Sequence, residues 1–149
     1  SGTTFLEQVL SSHSNIHGAG ELNYLPKIIG NFKLDKIQNF NAFIKNIRSE
    51  YHEKVSQLSI KKFIIDKLPM NFRWIGFIVK AFPEAKIIHI QRNPMAICWS
   101  NYRINFPDPG MDFSLSQKDT AKYYILYDDL IKFWSEKLKE KIIHISYES

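Results

Sequence analysis

Three short runs rich in isoleucine most constrain what this 149-residue chain can fold into. They occupy residues 63–67, 86–90 and 141–145, and each is too short for a helix and apolar enough to be buried. Such runs are typical of strands in a parallel sheet, which needs helical crossovers between its strands. Amphipathic segments separate the runs. The alternation of strand and helix therefore predicts an α/β fold, a three-layer sandwich in which helices cover both faces of a parallel sheet.

Two further local patterns refine this prediction. The pentad Lys-Ile-Ile-His-Ile occurs at residues 86–90 and again at 141–145, which indicates two central strands of similar composition rather than a true repeat. Asn93-Pro94 predicts a helix start, because Asn is a good N-cap and Pro fits the first helical position. Asn71 is likewise predicted to cap a helix.

The charge balance is mildly basic, with 20 Lys and Arg against 15 Asp and Glu and a net charge of +5. This excess attracts anions, so it fits a nucleotide as well as a nucleic acid. No apolar run reaches the roughly 18 residues that a membrane helix needs. The single cysteine, Cys98, excludes an internal disulfide and a multi-cysteine zinc site, and it fits a reducing compartment such as the cytoplasm.

The first four residues, Ser1-Gly2-Thr3-Thr4, are predicted to form a turn that leads directly into a helix. A glycine and two threonines at a helix start offer backbone N–H groups, two hydroxyls and the positive end of the helix dipole, which together bind anions. The same residues taken alone are explained more simply by a helix cap. The loop also lacks the lysine of the nucleoside triphosphate P-loop, which disfavours a kinase or an ATPase.

Arg92 and Ser100 form a second candidate anion site. Arg92 directly follows the second predicted strand, at the carboxyl edge where open α/β sheets bind ligands. Ser100 lies eight residues later, about two turns into the next helix, and it is the one hydroxyl in those two turns. The spacing alone does not decide between this anion site and a simpler interpretation, in which Arg92 forms a surface ion pair and Ser100 is a solvated helix residue.

Two more charged residues follow a loop and a strand. Glu21 comes after Gly18-Ala19-Gly20, which is predicted to be a flexible break, and an acid there is either a general base or a helix cap. Lys67 ends the first predicted strand, where a lysine could stabilise a negative leaving group or simply reach solvent. The residues alone leave both alternatives open at both positions.

The five histidines do not predict a metal site. His13 and His17 have a possible ligand spacing, but it requires a continuous helix, and the first helix is predicted to end before Gly18. No third ligand is evident in the neighbouring sequence. His89 and His144 fall inside predicted core strands, where they are expected to be packed and hydrogen-bonded.

Four stretches carry a resemblance to a known family: SGTTFLEQVLSSH at residues 1–13, HGAGELNYLP at 17–26, the segment from FIIDK to WSNY at 63–102, and ISYES at 145–149. In these stretches the chain resembles the sulfotransferases that use 3′-phosphoadenosine 5′-phosphosulfate (PAPS). It is most similar to the branch that contains tyrosylprotein sulfotransferases and bacterial relatives often fused to tetratricopeptide repeats. The resemblance implies a P-loop nucleotide hydrolase-like fold and transfer of a sulfuryl group from PAPS to an acceptor hydroxyl.

The resemblance also implies which residues bind PAPS. Residues Ser1 to Thr4 match the loop that holds the 5′-phosphosulfate. Arg92 and Ser100 match the pair that binds the 3′-phosphate and so distinguishes PAPS from ATP. Tyr147 matches a position near the adenine. All of these residues are expected to converge on the same edge of the sheet.

The same resemblance implies the catalytic residues. Glu21 matches the base of the tyrosylprotein branch, and Lys67 matches the lysine beside the bridging oxygen of the leaving group. No metal is expected, because a transferring sulfuryl group carries less charge than a phosphoryl group. The acceptor stays open between a protein tyrosine, a glycan and a small molecule, because its pocket is built from loops such as that from Phe106 to Ser116.

The start of the chain departs from the family pattern, in which a strand and a Pro-Arg pair precede the loop. We therefore expect residues 1–149 to be a single sulfotransferase domain that is truncated at both ends. One alternative is a non-catalytic nucleotide-binding or scaffold module of the same fold. A P-loop kinase and a nucleic-acid-binding protein are further alternatives, and a steep salt dependence of DNA or RNA affinity would favour the latter.

Overall fold

The computed structural model describes residues 2–32, 37–104, 106 and 110–148. The chain divides into two compact units. The N-terminal unit is Thr3–Ala85, and the C-terminal unit comprises Gly2 and the described residues from Lys86 onward. Ser1, the first residue of the predicted anion loop, lies outside the described residues.

The N-terminal unit contains a small parallel sheet flanked by helices. Its elements are α1 (Thr3–Ser11), β1 (Ile16–Gly18), α2 (Tyr24–Gly30), α3 (Phe40–Ser56), β2 (Phe63–Ile65), a short 3₁₀ helix (Pro69–Trp74) and α4 (Ile75–Ala81). In the sheet, Ile16 lies opposite Phe63 and Gly18 lies opposite Ile65.

Three helices of this unit share a hydrophobic core. Its buried residues are Leu25, Ile28, Ile29, Phe43, Ile47 and Ala81. Phe43 and Ile47 lie one turn apart on α3, so a single face of this helix packs inward. The side chain of Asn39 starts α3 by accepting a hydrogen bond from the amide of Ala42 at 3.0 Å.

The C-terminal unit has two parallel strands connected through two helices. Its elements are β3 (Ile87–Gln91), α5 (Pro94–Arg103), a short 3₁₀ helix (Asp112–Leu115), α6 (Gln117–Lys137) and β4 (Ile142–Ser146). The two strands pair so that Ile87 lies opposite Ile142 and His89 lies opposite His144. The two Lys-Ile-Ile-His-Ile pentads therefore lie side by side.

The structure confirms the three strands expected from the sequence, but their predicted burial is wrong at Phe63, Ile88 and Ile143, which are exposed. It also confirms the helix start at Asn93, whose side-chain oxygen accepts hydrogen bonds from the amides of residues 95 and 96. The predicted cap at Asn71 is wrong. Asn71 lies inside the 3₁₀ helix Pro69–Trp74, which begins with proline and precedes α4. Residues 16–18, which were not predicted to be a strand and of which Gly18 was predicted to begin a flexible break, instead form β1, because pairing with β2 orders them.

The described residues thus form a mixed α/β structure with small parallel sheets flanked by helices. Their strands pair as two two-stranded sheets, β1 with β2 and β3 with β4. Pro107 and Pro109 of the predicted loop lie outside the described residues, and its later part contains the 3₁₀ helix at Asp112–Leu115. Within the described ranges, no helix combines the length and the apolar character needed to cross a membrane.

Candidate functional site

The chain segments that follow β1 and β2 bring Glu21 and Lys67 into contact. Lys67 Nζ lies 2.7 Å from Glu21 Oε1. The Lys67 side chain is 13% exposed and the Glu21 side chain is 53% exposed, so the carboxylate is the partner that meets solvent. The pair therefore presents an accessible carboxyl group beside a shielded lysine side chain, which suits a proton acceptor next to a group that stabilises negative charge.

Backbone hydrogen bonds fix the two segments that carry this pair. The amide of Ala19 donates to the Ile65 carbonyl at 3.0 Å, and the amide of Lys67 donates to the Gly20 carbonyl at 2.8 Å. Gly20 has a φ of +70°, a left-handed conformation that favours glycine. The predicted flexible break is therefore an ordered turn that sets Glu21 beside Lys67.

Glu7 of α1, which the sequence analysis did not single out, supports the same turn. Its Oε1 accepts a hydrogen bond from the amide of Gly20 at 2.7 Å. A Cβ atom at Gly18 would crowd the side chains of Ser11 and Glu7, which would have to shift to admit it, so α1 approaches β1 closely at this glycine. In the sequence, Glu7 looks like any solvent-facing acid of an amphipathic helix, so no local signal indicates its role.

Thr3 and Thr4 occupy the first turn of α1, as the sequence predicts. The first amides of a helix lack partners within the helix itself and carry partial positive charge. The first turn of α1 contains no acidic side chain that would oppose an anion. This helix start is therefore electrostatically suited to an anion.

In the C-terminal unit, Gly2, Arg92 and Tyr147 lie together. The Arg92 guanidinium carbon lies 4.8 Å from the centroid of the Tyr147 ring, a cation–π contact. A Cβ atom at Gly2 would lie 2.6 Å from Tyr147 Cδ2, and Gly2 has a φ of +98°, so glycine is required on both grounds. The ring of Tyr147 thus contacts both a loop residue and the arginine that the family resemblance assigns to PAPS.

Further hydrogen bonds join the ends of β3 and β4 near Arg92. The amide of Tyr147 donates to the Gln91 carbonyl at 2.8 Å. The amide of Asn93 donates to Glu148 Oε1 at 2.8 Å. Glu148 is therefore a residue that the sequence analysis missed and that ties the helix start after Arg92 to the end of β4.

Ser100 lies on α5, half-buried, at the predicted eight-residue spacing from Arg92. The candidate residues divide between the units, with Thr3, Thr4, Glu21 and Lys67 in the N-terminal unit and Gly2, Arg92, Ser100 and Tyr147 in the C-terminal unit. Their convergence on one sheet edge stays a prediction.

The C-terminal unit also contains a series of hydrogen-bonded polar side chains on one face of β3 and β4. Ser135 Oγ donates to the Ile131 carbonyl at 2.7 Å and is 3.1 Å from His144 Nε2. His144 Nδ1 is 2.9 Å from His89 Nδ1, and His89 Nε2 is hydrogen-bonded to the Tyr127 hydroxyl. All donors and acceptors are matched if Tyr127 donates to His89, His89 to His144 and His144 to Ser135.

The surroundings of His89 favour its neutral form. Burial, and then the neighbouring His144, lower the pKa of His89 to about 4, against a smaller opposing effect of Asp128. Burial raises the pKa of Tyr127 to about 12, so its hydroxyl remains a donor. These side chains line a cavity of about 570 Å³. The expectation of packing and hydrogen bonding is confirmed for His89, whereas His144 is hydrogen-bonded but exposed, so its predicted place in the core is wrong.

The described residues contain no group of three or more His, Cys, Asp and Glu side chains that could hold a metal ion. His13 follows the end of α1, and His17 lies in β1, so the two do not share a helix. His13 Nδ1 accepts a hydrogen bond from the Asn15 amide at 3.1 Å. These contacts fit roles in local structure.

Comparison with known proteins gives the family. The model of the sulfotransferase family matches residues 1–149. An uncharacterized protein of Aquifex aeolicus (strain VF5) is 38% identical over 165 aligned residues, which cover 99% of this chain and 22% of that protein. The chain thus spans about a fifth of the length of this relative. No solved structure matches the chain significantly. Because the family model covers all residues, the chain belongs to the sulfotransferase family.

Proposed function

We propose that this protein transfers the sulfuryl group of PAPS to an acceptor hydroxyl. Membership of the sulfotransferase family supports sulfuryl transfer in general. The observation that carries the finer proposal is the contact between Glu21 and Lys67, with 2.7 Å between Oε1 and Nζ. A base and a leaving-group cation are the two charged groups that this reaction requires from the protein.

Arg92, Ser100 and the first turn of α1 supply the donor-binding groups in this proposal. Arg92 pairs with the 3′-phosphate, because a guanidinium binds phosphate oxygens through charge-assisted hydrogen bonds. Ser100 adds a hydroxyl donor to the same phosphate. The Thr3 and Thr4 hydroxyls and the amides near them hold the phosphosulfate. The Tyr147 ring, already in contact with Arg92, lies beside the adenine.

The chemical step is an in-line displacement at sulfur. The acceptor oxygen forms a bond to sulfur as the bond from sulfur to the bridging phosphate oxygen breaks, and Glu21 takes the acceptor proton. Lys67 stabilises the charge that develops on the departing oxygen. The products are a sulfate ester and adenosine 3′,5′-bisphosphate (PAP). Positioning and charge stabilisation carry this catalysis, by analogy with phosphoryl transfer.

We assign the chain to the tyrosylprotein sulfotransferase-like branch, with protein tyrosine as the first acceptor to test. The stretches around Glu21 and Lys67 support that branch. We also propose a single sulfotransferase domain of the three-layer, P-loop-like class, because the family model covers both units.

Titration calorimetry tests the donor site. PAP and 5′-AMP differ by the 3′-phosphate, so we expect PAP to bind more tightly to the wild type. Losing a charge-assisted hydrogen bond costs about 1.5–3 kcal/mol, so Arg92→Ala should weaken PAP binding by roughly ten- to a hundredfold and leave AMP binding unchanged. Arg103→Ala removes an exposed arginine from the opposite end of α5 and serves as the matched control. Equal affinities for PAP and AMP would contradict the assigned 3′-phosphate site.

Transfer of labelled sulfate from PAPS tests the reaction itself. Tyrosine peptides, a phenol and a simple alcohol are offered as acceptors. Glu21→Gln should lower kcat by about a hundredfold or more, since general base catalysis contributes roughly 10²–10⁴-fold. Selective PAP binding without transfer to any acceptor would instead favour a non-catalytic nucleotide-binding module.

A further inference from the structure

We propose that Asp66, held by Tyr51, is a positioning residue for the Glu21–Lys67 pair. The proposal rests on the proposed function, in which this pair moves the acceptor proton and stabilises the leaving group. Neither Tyr51 nor Asp66 is assigned a role by the family resemblance.

A hydrogen bond from α3 fixes the chain immediately before Lys67. The Tyr51 hydroxyl donates to Asp66 Oδ2 at 2.8 Å. Asp66 directly precedes Lys67, whose amide donates to the Gly20 carbonyl and whose ammonium contacts Glu21. The Tyr51 bond therefore acts one residue away from the catalytic lysine.

Tyr51 is itself firmly placed. Its ring contacts the Phe82 ring at 5.1 Å and the Tyr24 ring at 6.4 Å between centroids, both in edge-on geometry. Tyr51 also packs against the hydrophobic core of the N-terminal unit. Burial, then the Asp66 charge, raise the pKa of Tyr51 well above its usual value. The hydroxyl therefore keeps its proton and remains a donor to Asp66.

Asp66 depends on this donor. Burial raises the pKa of the Asp66 carboxyl, and the hydrogen bond from Tyr51 is the largest effect that lowers it. Within the described ranges, Asp66 Oδ1 is buried and has no partner with hydrogen-bond geometry. The Tyr51 bond to Oδ2 is thus the largest of several interactions that favour the buried carboxylate, followed by that of the Asn71 side chain.

The carboxylate also acts on the backbone of both catalytic segments. The amides of Leu22 and Leu68 favour the charged form of Asp66. Leu22 directly follows Glu21, and Leu68 directly follows Lys67. One buried carboxylate thus attracts the chain just beyond both members of the pair. Catalytic groups must be held within about 0.5 Å of their working geometry, which is the task that we assign to Asp66.

Amide hydrogen exchange tests the positioning without requiring activity. Tyr51→Phe removes the hydroxyl and keeps the ring, and Tyr24→Phe does the same on the neighbouring ring as the matched control. We expect Tyr51→Phe to raise the exchange rates of the Ala19 and Lys67 amides by about tenfold relative to the Ile47 amide in the core, or about 1.4 kcal/mol. An equal rise at Ile47 indicates a purely global effect, and no rise at Ala19 and Lys67 indicates no coupling. Either result would overturn the proposal.

Kinetics then test whether the positioning serves the reaction. Tyr51→Phe should lower kcat by about tenfold with the KM for PAPS unchanged. It should slow the Lys67→Met variant less than it slows the wild type, because Lys67→Met already breaks the pair through which Tyr51 acts. Losses that multiply in the double variant would overturn this coupling. A wild type that transfers no sulfate refutes the proposed function instead, and the exchange result still decides whether Asp66 positions the pair.

Discussion

Acidification should destabilise this protein through His89. In the fold, His89 is hydrogen-bonded to Tyr127 and His144, and burial lowers its pKa from 6.5 to about 4. The unfolded chain therefore binds a proton at His89 as the pH falls below about 6.5, whereas the folded protein does not until about 4. The contribution of neutral His89 to the free energy of unfolding is therefore fully present above about pH 6.5 and is lost as the pH falls from there to about 4.

The magnitude follows from the two pKa values. A difference between 6.5 and about 4 corresponds to roughly 3.4 kcal/mol, at about 1.36 kcal/mol for each tenfold change in proton affinity. His89 is half-buried, so solvent screens part of this effect. We therefore expect a loss of about 1–2 kcal/mol between about pH 7 and about pH 4.5, a large fraction of the stability of a small domain.

Urea unfolding at a series of pH values measures this loss. His89→Gln removes the titrating group, so its loss of stability over the same window should be smaller than that of the wild type by about 1–2 kcal/mol. Other titrating groups, Asp66 among them, act in both proteins and cancel in the comparison. His52→Gln removes an exposed histidine of α3 as the matched control. Equal losses in the wild type and His89→Gln, or an NMR titration of His89 centred near its ordinary pKa of 6.5, would refute the reasoning.

Three other substitutions have expected outcomes. Ile47→Ala empties a fully buried core position and should cost about 2–5 kcal/mol in urea unfolding, whereas Ile60→Ala at a fully exposed position should cost less than about 0.5 kcal/mol; equal costs would contradict the assigned core. Gly2→Ala introduces a Cβ atom 2.6 Å from Tyr147 at a φ of +98° and should weaken PAP binding in calorimetry. An unchanged affinity for PAP would indicate that the turn at Gly2 is not part of the donor site. Asn93→Ala removes the cap of α5 and should cost about 1 kcal/mol of stability, whereas Asn93→Ser should retain most of it.

Local sequence patterns were sufficient for the elements that depend on neighbouring residues. The strands β2, β3 and β4 follow from short apolar runs, and the start of α5 follows from Asn93-Pro94. The prediction failed at β1, whose three residues pair with a strand far along the chain. It also failed at Asn71, because a 3₁₀ helix that begins with Pro69 precedes the α-helix and includes Asn71.

The candidate site shows the same division. Position at the end of a strand was enough to single out Lys67 and Arg92 as candidates, because open sheets bind ligands at that edge. The sequence did not indicate that Glu21 meets Lys67, or that Arg92 stacks on Tyr147. Glu7 and Tyr51 carry no local signal at all, because their partners lie on other elements.

The sequence by itself determined the class of fold, the strand ends at which charged groups accumulate, and the resemblance that led to the sulfotransferase family. These properties arise from hydrophobic periodicity, capping residues and contiguous motifs, which act over a few positions. Tertiary structure alone decided the partners: the parallel register that sets His89 beside His144, and the turn that sets Glu21 beside Lys67. Such contacts join residues that are distant in the chain, so they exist only once strand pairing and core packing have brought those residues together.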